Sequence, residues 1–271
     1  IAICNYPVLN EFFYNLIQNR TINYHFANCG TFDERYNDNI NNLLQIQGIY
    51  NTNKTNAYID YISNKDLFKY EKLYWSKGID FVGGVDEAGR GPLAGPVVAA
   101  CVILSKDFDL TGIDDSKKIS PKKRKKLYDR IINESVDVSI GIAHEKEIDD
   151  LNILQATFLA MRRAIRNLKN KPGQLLIDGP HSDIKIIPTK NIVKGDSKSG
   201  SIAAASIIAK VYRDEIMKSY DIIFPEYDFS KNKGYGTKSH IKALHLYKAT
   251  PIHRKTFKIV NSNLPTFSFY K

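Results

Sequence analysis

Cysteine is scarce in this chain of 271 residues: Cys4, Cys29 and Cys101 are three in number and lie far apart. An odd, scattered set suits neither a disulfide framework nor paired zinc ligands, and it fits a reducing cytoplasm. The histidines His240, His245 and His253 also lack a metal-ligand spacing, so they read as structural or phosphate-facing. Long apolar runs are missing too. The opening stretch, Ile1 to Ile17, is interrupted by Asn5, Asn10 and Glu11 and has no basic leader, which makes it a poor signal peptide and too short to span a bilayer. A soluble, cytoplasmic protein with no membrane partner is expected.

Acidic residues are in deficit. With 39 Lys plus Arg against 29 Asp plus Glu, the net charge is +10 and the pI about 9.3. That balance favours an anionic partner, most simply nucleic acid. Apolar residues make up 43% of the chain, enough for a packed core and too many for general disorder.

Residues 1–75 differ from the rest. Asn and Tyr crowd the stretch from Asn37 to Asn56, and no turn-bounded strand repeats there, so the segment reads as a partly helical N-terminal extension. Tyr70 to Trp75 forms a helix leading into a second domain, 79–271. Phe81 to Val85, Val97 to Leu104 and Val136 to Ala143 read as three strands of an antiparallel meander. Ser120-Pro121, an N-cap followed by Pro at the first helical position, starts a helix inserted between the second and third strands. Apolar residues at Ile148, Leu151, Leu154, Phe158, Met161, Ile165 and Leu168 mark one face of a helix about six turns long. Strands at Leu175 to Asp178 and Asn191 to Val193 follow, then a helix from about Ser199 to Ser219, whose Ala203, Ala204 and Ala205 let it lie close to a sheet. The outcome is an α/β fold, a mixed β-sheet flanked by helices.

The few acids are not placed at random. Asp86 and Glu87 close the first strand, Asp178 closes a later one, and Asp196 follows Gly195 at another strand end. Beyond the carboxyl ends of strands such residues can converge, and repelling carboxylates gather around a hard cation such as Mg²⁺ or Mn²⁺. Neighbouring strand residues point to opposite faces, so Asp86 and Glu87 can act together only where the strand bends or ends. Gly89-Arg90-Gly91 directly after them offers close backbone approach and a guanidinium fork for phosphate. Ser116 and Lys117, in a loop before the basic run Lys122 to Lys126, are candidates for a phosphate contact, and the run itself lies mostly on a solvated helix face. Tyr235 in Gly234-Tyr235-Gly236-Thr237 can stack on a sugar or base. Asp214 beside Arg213 reads as a structural ion pair.

Taken in order, Asp86-Glu87-Ala88-Gly89-Arg90-Gly91-Pro92, Asp115-Ser116-Lys117-Lys118, Asp178-Gly179, Lys194-Gly195-Asp196, Ser201 to Lys210 and Gly234-Tyr235-Gly236-Thr237 resemble ribonuclease HII, the type 2 ribonuclease H family. The resemblance covers about residues 79–260, including His253 to Phe257. It implies a ribonuclease H-like fold and an endonuclease that hydrolyses RNA paired to DNA and cleaves 5′ of single ribonucleotides embedded in duplex DNA. It implies further that Asp86, Glu87, Asp178 and Asp196 are the metal and catalytic carboxylates, holding two Mg²⁺ or Mn²⁺ ions during catalysis. Gly89, Arg90 and Gly91 would meet the 2′-hydroxyl region and phosphate, and Tyr235 the adjoining sugar. A monomer is expected. Every motif lies beyond Ile79, so removal of residues 1–70 is expected to leave a folded, metal-dependent core. Three alternatives stay open. A non-catalytic RNA:DNA hybrid-binding protein would not need four acids, a transposase-like nuclease would not need the glycine loops, and the ribonuclease HIII type carries a different residue where Arg90 stands.

Overall fold

The structure is a computed structural model that describes residues 66–113 and 119–265. Strand β1 spans Val82–Ala88 and β2 spans Val97–Ile103. The second is buried throughout, as its sequence Val-Val-Ala-Ala-Cys-Val-Ile requires. Side chains alternate between faces along a strand, and here Val98, Ala100 and Val102 enter one apolar cluster while Val97, Ala99, Cys101 and Ile103 enter another. Each fully buried Val or Ile contributes about 1.5–3 kcal/mol relative to exposure. A strand apolar on both faces therefore belongs inside a sheet covered on both sides.

With β3 (Asp137–Ala143), β4 (Gln174–Asp178) and β5 (Thr189–Ile192), these strands make one five-stranded sheet of order β3-β2-β1-β4-β5. The first three strands form the expected antiparallel meander, and β4 and β5 join parallel to β1. Helix α1 (Lys69–Trp75) precedes the sheet, and α2 (Pro121–Glu134) is the insertion between β2 and β3, capped by the Ser120 hydroxyl and started by Pro121.

One long helix was expected from Ile148 to Leu168, and two are found, α3 (Glu145–Leu151) and α4 (Ile153–Asn167). Asn152 between them sits at φ 73°, ψ 163°, and its side chain accepts hydrogen bonds from the Leu154 and Gln155 N–H groups at 3.0 and 3.1 Å. The spacing of three and four runs on through the break, which hides it from a periodicity argument, yet Leu151 and Leu154 on either side of it are exposed, at 43% and 42%, and do not share the buried face of Ile148, Phe158, Met161 and Ile165. Helix α4 covers one face of the sheet through Phe158, Met161 and Ile165.

The other face is covered by α5 (Gly200–Ile223), whose Ala203, Ala204 and Ala205 are fully buried. Both helices press on the sheet at a glycine. A Cβ on Gly84 would lie 2.1 Å from the Ser201 carbonyl carbon, and one on Gly141 would lie 2.1 Å from the Ala160 oxygen. Short helices α6 (Phe229–Asn232), α7 (Lys238–Tyr247) and α8 (Lys258–Asn261) close a smaller apolar cluster around Tyr227, Phe229, Leu244 and Val260. No helix among the described residues is long and apolar enough to cross a membrane.

Candidate active site

Strands β1 and β4 are parallel, and their last paired residues are Val85 and Ile177. Asp86 and Asp178 are the next residue on each strand, so the register alone sets them side by side at the carboxyl end of the sheet. Pairing of β1 with β2 continues to Ala88, so Asp86 and Glu87 stand where β1 has lost its parallel neighbour but kept its antiparallel one. Asp86 is buried and Glu87 half-buried. Asp86 Oδ1 accepts the Glu87 N–H at 2.7 Å, and the Ser206 hydroxyl of α5 also hydrogen-bonds the Asp86 carboxylate. Asp178 Oδ1 accepts the Gly195 N–H at 2.6 Å. Gly195 opens a 3₁₀ turn, Gly195–Ser197, that carries the buried Asp196. Burial first, then the charges of Glu87 and Asp178, hold the Asp86 carboxyl well above the usual carboxylate range.

The loop after these acids is fixed by two arginines that the sequence did not single out. Arg213 of α5 donates to the carbonyls of Pro96, Lys233 and Ala94 at 2.9, 2.9 and 3.1 Å. Arg254 donates to those of Gly95, Arg90 and Gly89, with shortest distances of 2.8, 2.8 and 2.5 Å. Both are essentially inaccessible to solvent, and a buried guanidinium is tolerable only with its donors matched in this way. Gly89 has φ +98°, and a Cβ there would fall 2.1 Å from Arg213 Nε. The Tyr235 ring lies beside Gly91, its Cε1 3.5 Å from where a Gly91 Cβ would stand. Gly234 accepts the Leu93 N–H at 2.8 Å, so two loops distant in sequence form one edge. Tyr235 is about half exposed, and Arg90 Nη1 reaches Glu87 Oε1 at 3.3 Å across the mouth of the acid cluster.

Other expected residues lie elsewhere. Ser116 and Lys117 are outside the described residues. Asp214 pairs with Lys210 at 2.5 Å instead of with Arg213, because residues one apart on a helix diverge while residues four apart share a face. Within the basic run, Arg124 turns inward and donates to the Ile119 carbonyl at 2.7 Å. His240 and His253 are buried and joined Nε2 to Nε2 at 3.0 Å, and His245 contacts Asn263 at 2.7 Å.

The donor chemistry suits a hard divalent cation: carboxylate oxygens, one of them dry and crowded by like charge, at a cost that a cation offsets. Among the described residues no group of three or more His, Cys, Asp or Glu is already drawn into a metal-holding cluster. Asp86 and Asp178 each turn one oxygen to a backbone N–H.

A mixed sheet of this order, helices on both faces and acids at adjacent strand ends define a ribonuclease H-like protein. The solved structure of ribonuclease H2 from Pyrococcus horikoshii matches it with a TM-score of 0.58 at 26% identity, over 67% of this chain and 96% of that one. Bst-RNase HIII in complex with Mn²⁺ shares the fold, with a TM-score of 0.54 at 16% identity over 68% of each chain. The family model for ribonuclease HII matches residues 83–260. The ribonuclease HII of Lactobacillus gasseri is 52% identical over 197 residues, 73% of this chain and 78% of that protein. That of Caldanaerobacter subterraneus is 55% identical over 191 residues, 69% of this chain and 78% of its own. The chain belongs to the ribonuclease HII family and is an endoribonuclease, a hydrolase acting on nucleic acid.

Proposed function

We propose that this enzyme hydrolyses the RNA strand of RNA:DNA hybrids and cuts on the 5′ side of a single ribonucleotide in duplex DNA, leaving a 3′-hydroxyl and a 5′-phosphate. The observation that carries this reading is the shared edge formed by buried Asp86, half-buried Glu87 and Asp178 and the Gly89-Arg90-Gly91 loop, with the Tyr235 ring against Gly91. Acids alone fit many phosphodiesterases. An adjoining rigid loop and an exposed ring give the site a means to sense one sugar.

In this reading Asp86, Glu87, Asp178 and Asp196 hold Mg²⁺ or Mn²⁺, which would activate water for in-line attack and stabilise the leaving 3′-oxygen. The chain's own groups do the rest. Gly91 leaves room for a 2′-hydroxyl to approach the backbone, and Tyr235 stacks on the neighbouring sugar. Arg90 exchanges its contact with Glu87 for a phosphate oxygen. Arg213 and Arg254 touch no substrate and keep the loop from moving. Ser116 and Lys117 contact a phosphate. Nucleic acid is the partner, and the enzyme works as a monomer in the cytoplasm.

The deciding test is a duplex with one ribonucleotide, incubated with Mg²⁺, with Mn²⁺ and with chelator. Cleavage 5′ of the ribonucleotide is expected with either metal and none with chelator. Asp86→Asn is expected to abolish cleavage and to keep hybrid affinity within about tenfold, or ~1.4 kcal/mol, since the acid adds little to phosphate binding. Near-normal cleavage by this variant would remove the acids from the reaction.

A further inference from the structure

A helix start leaves its first N–H groups without carbonyls of its own, and that of α5 is buried against the sheet. Gly200 N–H donates to the Leu67 carbonyl at 2.6 Å, Ser201 N–H to Glu71 Oε1 at 2.9 Å, and Ile202 N–H to the Ser199 hydroxyl at 3.2 Å. From Ala203 the helix supplies its own acceptors, beginning with the Ser199 carbonyl at 2.9 Å. The Ser199 hydroxyl in turn donates to Glu71 Oε1 at 2.6 Å. Two of the three acceptors thus come from Leu67 and Glu71, which precede residue 83, where the match to the family model begins. Glu71 is completely buried.

Helix α5 is also the element on which the candidate site is mounted. Four residues before its start lies Asp196. Ser199 N–H donates to the Gly195 carbonyl at 2.9 Å, and Gly195 N–H donates to Asp178. Farther along, Ser206 meets Asp86, and Arg213 holds the carbonyls of Ala94 and Pro96. An uninterrupted set of hydrogen bonds therefore runs from Glu71 through Ser199 and Gly195 to Asp178.

We propose that Glu71 is a positioning residue of this active centre: by capping α5 it sets the turn that carries Asp196 and holds that turn against Asp178. The inference rests on the reading of the acids as metal ligands. It changes the expectation that residues 1–70 are dispensable, because a cut at residue 70 removes Leu67 and the buried Phe68 and opens the helix just ahead of Glu71. Among the described residues, the Glu71 Oε2 atom and the Ser201 hydroxyl make no well-aligned hydrogen bond, although the hydroxyl lies close enough to the carboxyl to lower its pKa. A glutamine can keep both acceptor contacts and offer its amide to that hydroxyl.

The test uses the full chain and reads Mn²⁺ binding by calorimetry beside cleavage kinetics, well below the unfolding temperature. Glu71→Ala is expected to weaken Mn²⁺ binding and lower kcat by about tenfold each, the scale on which residues supporting metal ligands act, with KM unchanged. Glu71→Gln is expected to keep the parent values. Should the alanine variant not fold, Glu71→Asp, one methylene short, serves with the same expected direction. A folded Ala or Asp variant that binds Mn²⁺ as tightly as the parent overturns the proposal, as does a Gln variant as impaired as Ala. If the parent and Asp86→Asn bind Mn²⁺ equally, the metal reading of the acids fails, and this proposal with it.

Discussion

Gly89 and Gly91 look interchangeable in the motif Gly89-Arg90-Gly91, and the structure separates them. Gly89 has a positive φ and no space, since a Cβ there would overlap Arg213 Nε and come within 2.7 Å of the Pro96 oxygen. Gly91 has ordinary backbone, and its Cβ would meet only Tyr235 Cε1 at 3.5 Å, a normal van der Waals contact. Gly89→Ala must therefore displace a buried guanidinium from its carbonyls, at a cost on the order of 1–3 kcal/mol. Gly91→Ala should fold like the parent and weaken only substrate engagement. Thermal melting beside steady-state kinetics checks this, and equal melting losses in the two would show that the loop is not clamped as described. Sequence reasoning could mark both glycines but not tell them apart, because the difference lies in Arg213, more than a hundred residues later. The pair Lys210 and Asp214 was within reach, since their spacing of four puts them on one helix face.

Strands are the elements the sequence showed best. All five fall within a few residues of their expected places, because β-branched runs bounded by Gly, Pro and Asn leave little freedom. The parallel register of β1 and β4 was not legible, yet it is what puts Asp86 beside Asp178. The break between α3 and α4 was hidden for a different reason: apolar spacing runs on through it and says nothing of one residue at positive φ, which here leaves Leu151 and Leu154 out of the buried face. Asn152 has a φ, ψ combination open almost only to glycine, and it also caps α4. The two roles can be separated. Asn152→Gly loses the cap but relieves the strain that the Asn Cβ already stores at this φ, ψ, whereas Asn152→Ala loses the cap and keeps the strain. Alanine should cost about 0.5–2 kcal/mol, and glycine should be more stable than alanine by about 1–3 kcal/mol. Denaturant unfolding of both variants tests this order, and an alanine variant as stable as the glycine one would mean the two helices can merge.

At the scale of the whole molecule, the least legible part is the buried polar frame that holds the Tyr235 loop to the body, and its chemistry predicts a specific weakness to acid. Thr250 N–H can only donate, and it lies 3.0 Å from His253 Nδ1, so the proton of that ring is on Nε2. That proton faces His240 Nε2, which must be bare, and His240 Nδ1–H then donates to the Tyr235 carbonyl at 2.9 Å. Neither ring has room for a second proton. Burial accordingly lowers His240, and burial with the neighbouring ring lowers His253 from 6.5 to about 3. Between those values the unfolded chain binds more protons than the folded one, so this stabilisation is complete above pH 6.5 and is lost as pH falls through the window. Glu147, pulled to about 2 chiefly by its hydrogen bond to Arg163, acts in the same direction but only below pH 4.5. Glu71 and Glu145, raised by burial, act with the opposite sign. Comparing variants over the upper window isolates the histidines. His253→Asn should be less stable than the parent at neutral pH, yet lose less stability between about pH 7 and 4.5, because the ring that resists protonation is gone. Urea unfolding at the two pH values measures both terms, and an unchanged loss in the variant would place the acid sensitivity outside this pair and leave the Tyr235 loop free of proton control.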